Sequence, residues 1–344
     1  MIRNELFSIL RFLFVVCIVG YHFAPEELLA RIWIFGSGQT CLTFFFVLSG
    51  FLTHWAASSA WKGTGDFYRK KLISLGPLYY ATLLVCIAIE VRNSRFPIPV
   101  ITADLAMVQA WIPGQQMGLN PPAWFMSALV FCLGLYPFLK KVIGCRTARF
   151  CLISAGIFWL IVQAASVALD AFQLHPAPLY WMYFPLFHLA SFLVGIATCE
   201  WHLRREVSST GSDTLIPFLI SVVGLVCCLK GIESAPQTLR QAGWTSLFAL
   251  PFAWVVVSVA RLPAGVVDAL DRPWIRMMGK ISFPVYLLQV PVFKVFDRLL
   301  IQPCDGVMTI PLFLAYLGLL FIPSILWITI AESLLLAKLR PRRT

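Results

Sequence analysis

Apolar residues arrive in blocks of about twenty, the length that carries a helix across a bilayer core. They fall at about 6–23, 33–53, 72–91, 123–143, 150–170, 180–200, 215–230, 241–261, 281–301 and 307–336. A membrane barrel would instead show alternating strands of about ten residues. The pattern predicts an all-α polytopic membrane helix bundle with about ten transmembrane helices. Residues 101–112 (ITADLAMVQAWI) are apolar but too short to span, and read as a re-entrant or interfacial segment. No repeat, low-complexity tract or interdomain linker interrupts the pattern. Residues 1–344 therefore read as a single membrane domain with no separate soluble domain. The first block lacks a small-residue cleavage site and reads as a retained helix.

Composition agrees. Hydrophobic residues make up 59% of the chain and charged residues 12%, against about 25% charged in soluble domains. The net charge of +11 would suggest nucleic acid in a soluble protein. Here most basic residues fall in the connections 54–71, 140–149, 201–214, 261–280 and the tail 338–344, which alternate to one side. The positive-inside rule makes that side cytoplasmic, puts both termini there, and removes the case for nucleic acid. The ten cysteines are scattered, without CxxC or zinc-type spacing. No metal-ligand cluster is visible, so no metal is expected.

Ionisable residues inside spans mark functional candidates. The first span carries Arg11 and His22, eleven residues apart. On a helix that spacing puts them on one face, about 16 Å apart along the axis. Arg11 falls in the cytoplasmic leaflet and His22 toward the outer end. Each also has a bland reading, Arg11 snorkelling to lipid phosphate and His22 capping a helix end before Pro25. The stretch DFYRKKLISLGPLYY (66–80) puts Arg69, Lys70 and Lys71 where the second cytoplasmic connection enters the third span. It reads either as an interfacial anchor or, beside Arg11, as a polyanion site. In TCLTFFFVLSGFLTHW (40–55), Ser49-Gly50 permits close backbone approach. Gln109, Trp111, Asn120-Pro121-Pro122-Ala123-Trp124 and Ser127 suggest an outward-facing cavity rim. Of the other histidines, His54 reads as interfacial, His175 and His202 as in or near loops, and His188 as a buried candidate inside the 180–200 span.

Together these segments resemble the integral-membrane acyltransferase family 3, whose members O-acylate cell-surface sugars. The Arg11–His22 pair matches the family's first-helix motif. Phe45 to Phe51 is similar to its FFxLSGF signature, and Phe67 to Tyr80 resembles its basic loop leading to a proline. Asn120 to Pro137 is similar to its N-x-x-x-W-x-x-S segment. Phe192 to Gly195, Gly279 to Leu287 and Glu332 follow in order. Three positions depart from the family pattern. Ser74 stands where a second arginine is frequent, Leu129 where a glutamate is frequent, and Gln289 where the late motif usually has histidine. Some members carry an extra hydrolase-like domain, for which the chain leaves no room.

The resemblance implies an acyl-CoA donor, most often acetyl-CoA, used as substrate with no permanently bound cofactor. It implies a hydroxyl acceptor on an exported or lipid-linked sugar, as in exopolysaccharide or lipopolysaccharide, and a bacterial cytoplasmic membrane as the setting. Arg11, Arg69, Lys70 and Lys71 would clamp the donor phosphates, and His22 would act as general base or carry the acyl group. Ser49, Asn120, Trp124, Ser127 and Gln289 are the candidates for binding acceptor or oxyanion. The competing class is a transporter or flippase for a lipid-linked saccharide. It predicts paired broken helices in two repeated halves, and none is visible.

Overall fold

A computed structural model describes residues 5–93, 97–172, 174, 180–205, 212–303 and 306–332. Their regular elements are all helical. In chain order these are α1 (Glu5–Phe23), a short α2 (Glu26–Arg31), α3 (Gly38–Ala60), α4 (Thr64–Arg92), a short α5 (Ile98–Leu105), α6 (Trp124–Gly144), α7 (Ala148–Ala171) and α8 (Pro185–Arg204). Then come α9 (Ser212–Glu233), a short α10 (Gln237–Ala242), α11 (Ala249–Ala260), a short α12 (Ala264–Ala269), α13 (Pro273–Phe296) and α14 (Ile310–Leu326). His175, Glu332's side chain and the tail 338–344 lie outside what is described.

Eight helical segments are long and apolar enough to cross a membrane: α1, α3, α4, α6, α7, α8, α9 and α14, some with short flanking turns. The chain is a polytopic helical membrane protein. The other two of the ten expected spans take different forms. The block 241–261 holds the last two residues of α10 and the 12 residues of α11, the latter about 18 Å of helix against a core of about 30 Å. It is preceded by turns at 243–248 rather than helix. The buried Thr245 and Ser246 there are satisfied sideways. Thr43 Oγ1 donates to the Thr245 carbonyl (2.7 Å), Trp159 Nε1 to the Ser246 carbonyl (2.7 Å), and Gln163 Nε2 to Ser246 Oγ (2.6 Å). The block 281–301 belongs to α13, which at 24 residues is long enough but carries Arg276, Lys280 and Lys294. The segment 101–112 folds as the end of α5 and a 3-10 turn over Gln109–Trp111.

The connection expected at 54–71 is a further correction. α3 runs on to Ala60 and α4 begins at Thr64, so only 61–63 is non-helical. His54 and the Arg69–Lys71 run therefore sit on helices.

At the centre, α3 crosses α8 with its backbone almost touching. A Cβ on Gly50 would collide with the Phe192 carbonyl oxygen, and one on Gly195 with that of Val47. Glycine at both positions lets the two backbones meet. On its other side α3 flanks α1, and α1 lies along α13, where Gly279 leaves room for Ser8. The two helices that carry Arg11 and Ser49 are thus held by backbone-level contacts.

Beyond the bundle's other end, Asp104 closes the 105–119 segment. Its carboxylate accepts from the Leu119 N–H (2.8 Å), while Tyr79 Oη donates to its carbonyl (2.6 Å). Gly118 has φ +52 and packs against the carboxylate with no space for a Cβ. Burial pushes the Asp104 carboxyl up to about 6.

Candidate functional site

Stripes from α1, α3, α4, α6 and α13 enclose a cavity of about 280 Å³. α3 contributes Leu42, Phe45, Ser49 and Thr53, and α4 contributes Lys71, Ser74 and Leu75. α6 adds Phe125, Leu129 and Leu133, and α13 adds Ser282 and Tyr286. The three- and four-residue spacings put each set on one helix face. Arg11 enters from α1. Among the described residues, none with a carboxylate lines the cavity. Lys71 Nζ donates to Thr53 Oγ1 (3.1 Å) and lies 5.6 Å from the Phe67 ring centre. Arg11 has no hydrogen-bond or ion-pair partner among the described residues. Two cations between leucine and phenylalanine walls carry a desolvation cost that an anion would relieve. Two of the departing positions, Ser74 and Leu129, line this same space, so its wall there is a hydroxyl and a hydrocarbon.

The cations expected to act together are divided by helix geometry. Arg69, Lys70 and Lys71 are consecutive helix residues, fanned by about 100° each. Lys71 enters the cavity, Lys70 pairs with Asp66 (2.7 Å), and Arg69 is exposed outside the lining.

His22 lies in the last turn of α1, exposed and outside the cavity. The rings of Tyr21 and Phe23 flank it at 5.2 and 5.9 Å, and neither nitrogen has a hydrogen-bond partner among the described residues. Asn120, Trp124, Ser127 and Gln289 are buried. Asn120 Nδ2 donates to the Leu287 carbonyl (3.0 Å) and Gln289 Nε2 to that of Tyr286 (2.8 Å). Asn120 Oδ1, Ser127 Oγ and Gln289 Oε1 have no partner among the described residues. Trp124 stands against His188 (4.9 Å) and Tyr183 (5.1 Å). His188 is stacked on Phe46 (4.7 Å), and its Nε2 donates to the Met182 carbonyl (2.8 Å). That describes a structural histidine better than a base.

His54 departs from expectation, whereas His202 lies at a helix end, near a loop as expected. His54 is buried, not interfacial: Nδ1 lies 3.1 Å from Tyr136 Oη and Nε2 2.8 Å from Glu200 Oε2. His202 is buried in the last helical turn of α8, 4.8 Å from the Trp55 ring. Thr53, Ser282 and Tyr286 went unnoticed in the sequence. Thr53 follows Ser49 by one helical turn, the one signal that would have placed it on the same face.

A family model described as an acyltransferase domain matches residues 5–336. The chain is also similar to "Acyltransferase MdmB" of Streptomyces mycarofaciens, 22% identical over 316 residues, covering 85% of this chain and 79% of that protein. No solved structure matches.

Proposed function

Because the chain belongs to the integral-membrane acyltransferase family 3, we propose that it moves an acyl group, acetyl by the frequency of such donors in the family, from cytosolic acyl-CoA to a hydroxyl of an exported or lipid-linked sugar. The observation that carries this reading is the Arg11–Lys71 cavity, which offers two cations and, among the described residues, no carboxylate. Such a site suits the phosphates of a coenzyme A thioester. In this reading Lys71 and Arg11 form the inner part of the donor clamp, with Arg69 and Lys70 at its mouth. The pantetheine arm follows the α1 face toward His22. His22 takes the proton of the acceptor hydroxyl as that oxygen attacks the thioester carbonyl. The C–S bond then breaks and coenzyme A leaves as the thiol after protonation. An exposed imidazole without a hydrogen-bond partner among the described residues is suited to a proton it must both take and return, a contribution of about 10²–10⁴-fold. Asn120, Trp124, Ser127 and Gln289 supply acceptor contacts, and Ser49 faces the donor. The same reading treats residues 1–344 as one catalytic membrane domain in a bacterial cytoplasmic membrane, with both termini cytoplasmic.

The test uses purified protein with radiolabelled acetyl-CoA and surface glycan from cells lacking the protein. His22→Ala should retain donor binding and lose transfer by at least 10²-fold. Arg11→Gln should weaken donor binding. Undiminished transfer by His22→Ala would remove the base, and donor binding indifferent to Arg11 would remove the clamp.

A further inference from the structure

We propose that His54 is a positioning residue for the donor site: clamped between Glu200 and Tyr136, it fixes the turn of α3 that carries Thr53, and Thr53 holds Lys71 in the cavity beside Arg11. The inference rests on the reading of Arg11 and Lys71 as the donor site.

The network joins three helices. Tyr136 comes from α6, His54 from α3, and Glu200 and Arg204 from α8. His54 Nδ1 meets Tyr136 Oη at 3.1 Å, Nε2 meets Glu200 Oε2 at 2.8 Å, and Arg204 pairs with the other Glu200 oxygen. A neutral imidazole protonated on Nε2 satisfies both contacts, with the Tyr136 hydroxyl donating to Nδ1 and Nε2–H donating to the carboxylate. Every polar contact in the chain then has one direction, and the ring cannot turn over without breaking both.

Catalysis by this trio is ruled out by access. Tyr136 is fully buried, His54 and Glu200 are 5% and 8% exposed, and none of them lines the cavity. Simple adhesion is a poor account as well. Buried ionic groups in spanning helices are expensive, and apolar side chains of similar volume hold helices together at least as well. What such a network adds is a fixed register, and the register it fixes lies beside the donor site.

His54 adjoins Thr53, whose Oγ1 accepts from Lys71 Nζ at 3.1 Å. Lys71 sits near the start of α4, whose outer face is open, as exposed Leu72 and Leu84 show. Polar ties fasten that end to its neighbours. Besides Lys71 to Thr53, Tyr68 Oη donates to the Gly134 carbonyl of α6 (2.7 Å). The Phe67 ring also packs 5.2 Å from that of Tyr136. Tyr136 therefore touches both the helix that brings Lys71 and the histidine beside its acceptor. Through this one residue the His54 clamp sets the docking of α4 on α6 as well as the height of Thr53 on α3.

The test is a kinetic cycle on the full-length protein in nanodiscs, with acyl-CoA as the varied substrate. His54→Ala and Thr53→Val should each raise KM for acyl-CoA at least five-fold while kcat stays within two-fold. Thr53→Ser, which keeps the acceptor oxygen, should restore KM. In a Lys71→Met background, His54→Ala should add nothing to KM. A KM increase from His54→Ala that persists undiminished in that background overturns the proposal, because the histidine would then act elsewhere. Unchanged KM in Thr53→Val also overturns it. If Lys71→Met alone leaves KM unchanged, the donor reading falls and this inference with it. Should His54→Ala fail to fold, Tyr136→Phe removes only the hydroxyl contact and takes its place in the same cycle.

Discussion

Replacing Gly195 by alanine tests the central crossing most directly. The added methyl would point into the Val47 carbonyl and lie 3.0 Å from the Phe51 nitrogen, both backbone atoms that cannot rotate away. A comfortable C···O approach between helices is about 3.3–3.6 Å, so α3 and α8 must separate by about 1 Å. Overpacking of this kind costs about 1–3 kcal/mol. The same displacement would stretch the 2.8 Å contact between His54 and Glu200 past hydrogen-bond range, adding about 1 kcal/mol. Gly50→Ala pushes on the same interface from the opposite side, against the Phe192 carbonyl. Once one methyl has parted the helices, the second finds part of its space already open. The double variant should therefore lose less than the sum of the singles, with a coupling of about 0.5–3 kcal/mol. The assay is the melting midpoint of detergent-solubilised protein, read by size-exclusion after a temperature series, for wild type, both singles and the double. A Gly195→Ala protein that melts with wild type, or strictly additive losses, would refute the claim that the two glycines share one contact.

Two other outcomes follow from described geometry. Burial raises the Asp104 carboxyl to about 6 from an ordinary value near 3.8, so the folded state binds the proton more tightly than the unfolded chain. Its favourable contribution is complete below the unfolded value and is lost as pH rises through about 6. Limited proteolysis of the 105–119 segment should accelerate between pH 5 and 7, and Asp104→Asn, neutral throughout, should flatten that dependence. Replacing His188 by phenylalanine keeps a ring against Phe46 but leaves the Met182 carbonyl without its donor, a loss of about 1–3 kcal/mol. Transfer per folded molecule should stay within a few-fold of wild type. A loss of 10²-fold or more at unchanged folding would make His188 part of the chemistry.

The spans were legible because a bilayer demands long apolar runs, and α1, α7 and α9 fall close to where those runs predict. Exceptions arose where neighbours do what local sequence does not. The block 241–261 reads as one helix, yet its backbone turns over 243–248, where side chains of α3 and α7 donate to the Thr245 and Ser246 carbonyls. His54 looked interfacial because Glu200, its partner, lies 146 residues away. Arg69, Lys70 and Lys71 read as one cluster only while they were taken for a loop. A helix turns three neighbours to three directions, and a single one of them enters the cavity. The matched motifs singled out Arg11 and Ser49 for different roles, Arg11 with the donor and Ser49 with the acceptor or oxyanion. That the two would line one cavity, with Ser74 and Leu129 in its wall, was not legible.

The interrupted stretch at 243–248 also bears on how the protein is made. Hydrocarbon offers no donor to the Thr245 carbonyl, and that of Ser246 has only the Ala249 N–H from its own stretch, so this piece of chain is poorly satisfied in lipid by itself. Its donors, Thr43, Trp159 and Gln163, all precede it in the chain and leave the ribosome earlier. When the segment emerges, the polar lining that receives it has already been synthesised. Its entry is thus an insertion between helices already present rather than a partition into lipid, and a chain translated without α7 would keep only the Thr43 contact to seat it.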